Sequence, residues 1–197
     1  MMKFRLPAIF AFAILMTIGY SGASGASEER LAYPETTAGA SAPKFISGDT
    51  QAEAKAAAGP NDWVQVSENS KEGRYVLKNY VHKGESAANW TELVTYLNTP
   101  KPDESPADFM NRAKEAMLKV CPAATFDVIN QSDSEITYET KVAKCPRLGD
   151  QDEIVRVLYG QQNMFQISYT AKMADIPAAK RADMVKVLSE FQVQQKS

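Results

Sequence analysis

Few side chains in this sequence could perform acid–base or nucleophilic chemistry. The chain has one histidine, His82, and two cysteines, Cys121 and Cys145. A hydrolytic triad places a base, usually histidine, beside a serine or cysteine nucleophile. His82 follows a predicted strand and precedes Lys83 and Gly84, where a surface histidine is ordinary. The sequence therefore favours a surface position for His82 over a catalytic one.

Two glutamates on predicted strands are the remaining candidates for acid–base chemistry. Glycoside hydrolysis needs only two carboxyl groups that the fold brings together, and Glu92 and Glu139 could form such a pair. Glu139 falls on the polar side of an alternating strand, which favours solvation. Glu92 lies either near the mouth of the sheet, in contact with water, or inside, where a buried carboxylate needs a partner. We favour the solvated position for Glu92.

The strand that holds Glu92 is the strongest strand prediction in the chain. Residues 89–98 are rich in β-branched and aromatic residues, which fit a pleated, half-buried surface. Period-two alternation gives the strand two partly apolar sides, one of which holds Trp90, Glu92, Val94 and Tyr96. A strand of this kind is typical of the centre of a sheet that is covered on both faces. We take Trp90, Glu92 and Tyr96, together with His82, as candidates for an interaction surface or a cleft.

The start of the chain resembles a secretory signal peptide. Lys3 and Arg5 precede an apolar run over residues 6–20, and small residues follow up to Ala26. We predict a signal peptide over residues 1–26. Residues 27–60 are rich in Ala, Gly, Ser, Thr and Pro, so they are predicted to be a flexible tether that cannot bury enough apolar surface to fold.

The two cysteines predict one structural disulfide. In an exported chain a single pair of cysteines is typically oxidised. In the sequence, Cys121 precedes the predicted strands 125–130 and 135–143, and Cys145 follows them. A redox-active or nucleophilic cysteine is the alternative, but the sequence has no C-x-x-C motif.

Metal and cofactor motifs are missing from the sequence. A zinc site uses three or four Cys, His or carboxylate ligands at short spacings, and no such group is present. Met164, Met173 and Met184 could offer a copper site, although methionine at such spacing usually fills a core. No phosphate-binding loop or dinucleotide fingerprint occurs. We expect no metal and no cofactor.

The charge balance limits the classes of partner. The chain has 22 basic and 24 acidic residues. Without Lys3 and Arg5 it would have 20 basic and 24 acidic residues, a net charge of −4. A net acidic chain without a basic block argues against nucleic acid and against an anionic membrane surface as partners.

Seven strands and two helices are predicted after residue 60. The strands are 63–66, 74–81, 89–98, 125–130, 135–143, 154–159 and 164–171. Ser105 is the predicted N-cap of the first helix, with Pro106 in its first turn, and the helix ends at Cys121. The order βββα-ββββα predicts an α+β domain over residues 61–197, with an antiparallel sheet of about seven strands covered by two helices.

The second helix is predicted over residues 177–193. Its apolar stripe would consist of Ala178, Ala182, Val185, Leu188 and Phe191. Lys180 and Arg181 fall beside this stripe, and we predict that both are solvated.

This order of elements, closed by a long helix, resembles the PsbP/Mog1-like sandwich. Members of that superfamily are assembly factors, adaptors and chaperones in the thylakoid lumen, the cytosol and the bacterial envelope. The segment N-W-T-E-L-V-T at 89–95, a following helix that ends in Cys121 and the later Cys145 also resemble a group of small exported bacterial proteins. The resemblance covers about residues 61–193 and implies no catalytic residues.

From these features we expect an exported, non-enzymatic domain that binds another envelope or secreted protein, as an assembly factor, an adaptor or an inhibitor. The domain would not be embedded in the membrane after its signal peptide is removed. A periplasmic carrier of a small ligand or metal is the alternative, because the many Tyr and Trp could line a cleft. A carboxylate-dependent hydrolase is the least favoured function.

Overall fold

One large sheet dominates the computed structural model of the chain, which describes residues 29–32, 45–46, 63–72 and 74–195. In chain order the elements of these residues are β1 (Glu29–Ala32), β2 (Phe45–Ile46), β3 (Trp63–Lys71), β4 (Tyr75–His82), β5 (Glu92–Pro100), α1 (Pro106–Val120), β6 (Thr125–Gln131), β7 (Glu135–Cys145), β8 (Gly149–Tyr159), β9 (Asn163–Ala171), α2 (Ala178–Ser189) and β10 (Gln192–Gln195).

The large sheet has the strand order β2-β3-β4-β5-β9-β8-β7-β6. Strands β3 to β9 are antiparallel to their neighbours, and the two-residue β2 adds a short parallel contact to β3. The predicted α+β class, the seven antiparallel strands and the order βββα-ββββα are therefore confirmed. Strand β5 lies between β4 and β9, in the central position that its two apolar sides predict.

Helix α1 forms as its local sequence predicts. The Ser105 hydroxyl accepts a hydrogen bond from the Asp108 amide at 3.1 Å, and Pro106 occupies the first turn. The helix buries Met110 against Ile136 and Val157 on one face of the sheet. This packing places the end of α1 beside the end of β7.

The predicted disulfide links these two ends. Cys121 and Cys145 are bonded to each other, with their Cα atoms 5.4 Å apart. The bridge packs with Met117 and Val142 in a small apolar cluster. It therefore fixes the C-terminal end of α1 to the last residue of β7.

Helix α2 covers the opposite face of the sheet and is shorter than predicted. It ends at Ser189, and residues 192–195 form strand β10 instead of a last helical turn. The predicted apolar stripe is wrong at its N-terminal end, because Ala178 and Ala182 are exposed. Leu188 is buried, and it packs in the core of this face with Ile154 and Tyr169.

The N-terminal half of the predicted tether contains a strand. Strand β1 pairs antiparallel with β10, and its Leu31 packs against the core beneath α2. The side chain of Glu29 is buried at the turn between β8 and β9. Apart from β1 and β2, the tether prediction lies outside the described residues, as does the predicted signal peptide at residues 1–26.

Candidate functional site

His82 and Glu92 meet on the face of the sheet that α2 covers. His82 follows Val81 at the end of β4, and Glu92 precedes Leu93 at the start of β5; Val81 and Leu93 are paired. The His82 Nε2 atom donates to Glu92 Oε2 at 2.9 Å. On one side, Trp63 of β3 lies opposite His82 in the sheet register. On the other side, Glu92 lies opposite Ala171 of β9, which is followed across the sheet by Asp152 of β8 and Lys141 of β7. The ionisable residues His82, Glu92, Asp152 and Lys141 therefore lie in one row across the sheet near the start of α2, with Ala171 between Glu92 and Asp152.

Glu92 is buried, with only 8% of its surface exposed. Burial alone would raise the pKa of its carboxyl group. The hydrogen bond from His82 and the ion pair with Lys180 outweigh that effect and lower the pKa of Glu92 to about 2. The prediction of a solvated Glu92 is therefore wrong, since the carboxylate lies inside and has the two partners that burial requires.

The imidazole of His82 is held from two sides. Its ring lies 4.2 Å from the Trp63 ring, tilted by 32°, while Glu92 fixes its Nε2 atom. About a third of the side chain is exposed to solvent. An imidazole oriented by a carboxylate is a suitable general base. Among the described residues its hydrogen-bond partner is Glu92, not a hydroxyl or thiol, and both cysteines are in the disulfide.

Glu139 also faces α2 and is not solvated as predicted. Its two carboxylate oxygens each lie 2.9 Å from Nε of Arg181, and 3% of the residue is exposed. Strands β5 and β7 are three strand spacings apart, so the backbones of Glu92 and Glu139 are separated by roughly 14 Å across the sheet. Each carboxylate instead forms an ion pair with the first turns of α2.

Asp152 is a third buried acid near the start of α2. Its Oδ2 atom accepts a hydrogen bond from the Ile176 amide at 2.7 Å, and its Oδ1 atom has no hydrogen-bond partner. Burial raises the pKa of Asp152 to about 6, against the Ile176 hydrogen bond and the Lys141 ammonium 3.9 Å away. Asp152 therefore holds the loop before α2 at an energetic cost to its own ionised form.

The four candidate residues do not form one surface. Tyr96 shares the α2 face with Glu92 and His82, as strand alternation requires. Trp90 precedes β5 and packs on the opposite face with Val66, Val81 and Leu93. The predicted common side for Trp90 and Glu92 is therefore wrong, because the strand begins at Glu92 and alternation does not extend back to Trp90.

Lys180, Arg181 and Asp152 are members of this site that the sequence did not predict. Helical periodicity placed both cations on the solvated side of α2, although they contact Glu92 and Glu139. Two adjacent cations in the first turns of a helix were the available clue, because that end of a helix normally favours acidic residues. Their presence there indicates acidic partners elsewhere in the fold.

The described residues contain neither a cluster of metal ligands nor a helix that could span a membrane. Within residues 29–32, 45–46, 63–72 and 74–195, no three His, Cys, Asp or Glu side chains are grouped in a way that could hold a metal ion. The helices in the same ranges are too short or too polar to cross a membrane.

Comparison with protein-family models gave no match for this chain, and neither did comparison with curated proteins.

Proposed function

We propose that this protein is an exported, non-enzymatic domain that binds an extended segment of another protein along β6. The observation that supports the proposal is the exposed edge of the sheet at this strand. β6 is the last strand of the sheet, so its outer backbone groups pair with no strand of the described residues. Such an edge is a template for a further strand.

The side chains of β6 suit strand addition. Five of its seven residues are exposed, and Val128, 49% exposed, is the one large apolar side chain of the described residues that is exposed to this degree. Natural edge strands are commonly protected by lysine or proline, and the sequence of β6 contains neither. A bulge between Val128 and Asn130 disrupts the ladder locally, so regular pairing of an added strand is expected over residues 125–128.

The charges around β6 define the chemistry of the partner segment. Asp127 is exposed on the outer side of the sheet edge and lies opposite Glu139 on β7, whose charge is paired with Arg181. A lysine or arginine opposite Asp127 on the added strand would give this exposed carboxylate an oppositely charged cross-strand partner. A β-branched or aromatic residue opposite Val128 would cover its exposed surface.

The contacts of His82 and Glu92 support a non-enzymatic role. Both side chains are engaged in anchoring the start of α2 through Lys180 and in packing on Trp63. Export is supported by the disulfide, which is typical of oxidising compartments, and by the predicted signal peptide. The resemblance of the element order to the PsbP/Mog1-like superfamily, whose members include assembly factors and adaptors, also favours a role in binding another protein.

Site-specific photo-crosslinking tests the proposal. A photoreactive amino acid at Val128 of the full chain, expressed in its own compartment, should give an adduct with one partner protein, and the crosslinked peptide should be an extended segment with a basic residue. The control places the same group at Ala182, an exposed position on α2. Equal adducts at both positions, or none at Val128, would contradict the proposal.

Binding of a synthetic peptide with the sequence of the crosslinked segment then measures the affinity. Binding should protect the β6 amides from hydrogen exchange. Val128→Lys should weaken binding by about tenfold or more, because a charge on an edge strand opposes strand addition. If sedimentation instead shows a dimer of this chain that Val128→Lys dissociates, the partner is a second copy and the proposed heterologous partner is wrong.

A further inference from the structure

The turn between β8 and β9 forms a binding site for a carboxylate. The backbone amides of Gln161, Gln162 and Asn163 all donate to the carboxylate of Glu29, and Asn163 Nδ2 lies 3.4 Å from the same group. Successive amides that converge on one point make an anion-binding concavity. The absence of a side chain at Gly160 leaves the space that the carboxylate fills. As a result, only 4% of the Glu29 surface is exposed.

Two features beside this turn match the rest of β1. Leu31 shares the inward side of β1 with Glu29, as strand alternation requires, and it packs against the core beneath α2. The backbone of β1 pairs with β10 over four residues. We call this site the β1 groove; it consists of residues 160–163, residues 192–195 and the adjoining core beneath α2. The groove therefore selects an acidic residue that is followed two positions later by an aliphatic one.

The contacts of β1 do not depend on which molecule supplies the strand. β1 contacts the turn at residues 160–163, β10 and the core beneath α2, and its outward residue, Arg30, is exposed. The β1 strand of a second molecule could therefore enter the groove from solvent and make the same contacts. Exchange of an identical element between two copies is a low-cost route to a dimer, because each contact is replaced by the same contact.

The chain that joins β1 to β2 has a long distance to span within one molecule. Phe45 on β2 pairs with Trp63, in the same row of the sheet as Ala171 and four strand spacings from β9. The turn lies at the other end of β9, so strand spacing and rise place it roughly 32 Å from Phe45. Glu29 and Phe45 are 16 positions apart, and a flexible chain of this length spans roughly 20–24 Å on average. Because the link must be stretched, the local concentration of β1 at its own groove is lowered.

We propose that β1 docks into the β1 groove of a second copy of this chain, so that two copies exchange their N-terminal strands. Docking within one molecule and docking between two use the same contacts, so the balance between monomer and dimer depends on the link and on the protein concentration. The exchange is independent of protein binding at β6, because β6 lies at the edge of the large sheet and β1 belongs to the other sheet. Val128→Lys should therefore leave it unchanged.

Mixed single-cysteine variants of the full chain test the inference. Arg30 and Gln194 lie opposite each other in the β1–β10 pair, and both are exposed. Opposed residues of an antiparallel pair have Cα atoms roughly 4.5–5.5 Å apart, within the range for a disulfide. Oxidation of a mixture of Arg30→Cys and Gln194→Cys chains should therefore give a covalent dimer. The control mixture pairs Arg30→Cys with Ala88→Cys, an exposed loop position, and we expect the first mixture to react about tenfold faster or more.

Two variants separate β1 docking from random collision. Glu29→Ala in the Arg30→Cys chain should reduce crosslinking to the control rate, because it removes the carboxylate that the turn amides hold. Insertion of about eight Gly and Ser residues after Gly39 lengthens the link, so it should lower the dimer fraction of the otherwise wild-type chain in sedimentation. Crosslinking no faster than the Ala88→Cys control would mean that β1 docks only within its own chain, and this would overturn the inference. A crosslinking rate unchanged by Glu29→Ala would overturn it as well.

Discussion

The guanidinium of Arg156 lies 2.7 Å from the carbonyl oxygen of Leu188, so a buried cation on β8 ends helix α2. The same nitrogen, Nη1, also donates to the Phe191 carbonyl at 2.8 Å, while Nη2 pairs with Glu135. A cation near a helix C-terminus satisfies free carbonyls and opposes the negative end of the helix dipole. This contact stops the helix at Ser189 and leaves the following residues available for β10.

Replacement of Arg156 by Met should therefore destabilise the protein strongly. The change leaves Glu135 and two carbonyl groups without their buried partner, and we expect a loss of about 3 kcal/mol in the free energy of unfolding. Urea denaturation measures it. Arg147→Met is the control, because Arg147 is exposed and its replacement should change stability by less than about 0.5 kcal/mol. Similar losses in both variants would contradict a capping role for Arg156.

The ion pair between Glu92 and Lys180 should stabilise the protein above about pH 4.5. The pKa of Glu92 falls from 4.5 to about 2 on folding, so the stabilisation is complete above the unfolded value and is lost as the pH falls toward 2. Glu92→Gln should lower the free energy of unfolding at pH 7 by about 1–2 kcal/mol. The difference between wild type and variant should shrink below pH 4.5.

A double-mutant cycle isolates this pair. Glu92→Gln combined with Lys180→Met should give a coupling energy of about 1 kcal/mol. The control cycle uses Glu68 and Lys78, a more exposed pair on the same sheet 3.5 Å apart, for which we expect about 0–0.5 kcal/mol. Equal coupling energies in the two cycles would mean that burial of Glu92 does not strengthen its ion pair with Lys180.

The parts of the fold that depend on local sequence, on residue counts or on the polarity of one strand were predictable from the sequence. Ser105, Pro106 and Asp108 are close in the chain and define the start of α1 by themselves. The disulfide followed from the count of two cysteines. The central position of β5 followed from its two apolar sides.

The candidate site depends on distant residues, and there the predicted solvation of Glu92 and Glu139 was wrong. Glu92 and Lys180 are 88 positions apart, and Glu139 and Arg181 are 42 positions apart. Helical periodicity cannot distinguish a cation in water from one paired with a buried acid. The error at Trp90 had a local cause, because alternation was extended three residues before the start of β5.

Asp152 should make stability fall as pH rises between about 4 and 6. Its pKa is raised from 3.8 to about 6 in the folded protein, so the native state binds the proton more tightly than the unfolded chain. The penalty for ionisation is absent below the unfolded pKa and complete above the folded one. Asp152→Asn keeps an acceptor for the Ile176 amide and removes the charge. It should therefore be more stable than the wild type above pH 6, by about 1–2 kcal/mol, and the gain should disappear near pH 4.

The measurement is the difference in free energy of unfolding between wild type and Asp152→Asn at several pH values. Asp133→Asn is the control, because Asp133 is exposed and its replacement should leave the pH profile unchanged. A gain that persists at pH 4 would show that titration of Asp152 is not its cause.

The close approach of Glu29 to Gly160 should determine how firmly β1 is held against the turn between β8 and β9. The Glu29 carboxylate accepts hydrogen bonds from the amides of Gln161, Gln162 and Asn163, at 2.7, 3.1 and 3.0 Å. A Cβ atom at Gly160 would lie 2.4 Å from a carboxylate oxygen of Glu29, so the carboxylate would have to move out of its position. Gly160→Ala should therefore displace Glu29 and speed hydrogen exchange at residues 29–32 and at β10.

Glu29→Ala should do the same by removing the carboxylate that holds β1. Gly160→Ala should have little further effect in that background, because the clash is gone. An additive effect of the two changes on hydrogen exchange would show that Gly160 acts through the turn itself and not through Glu29.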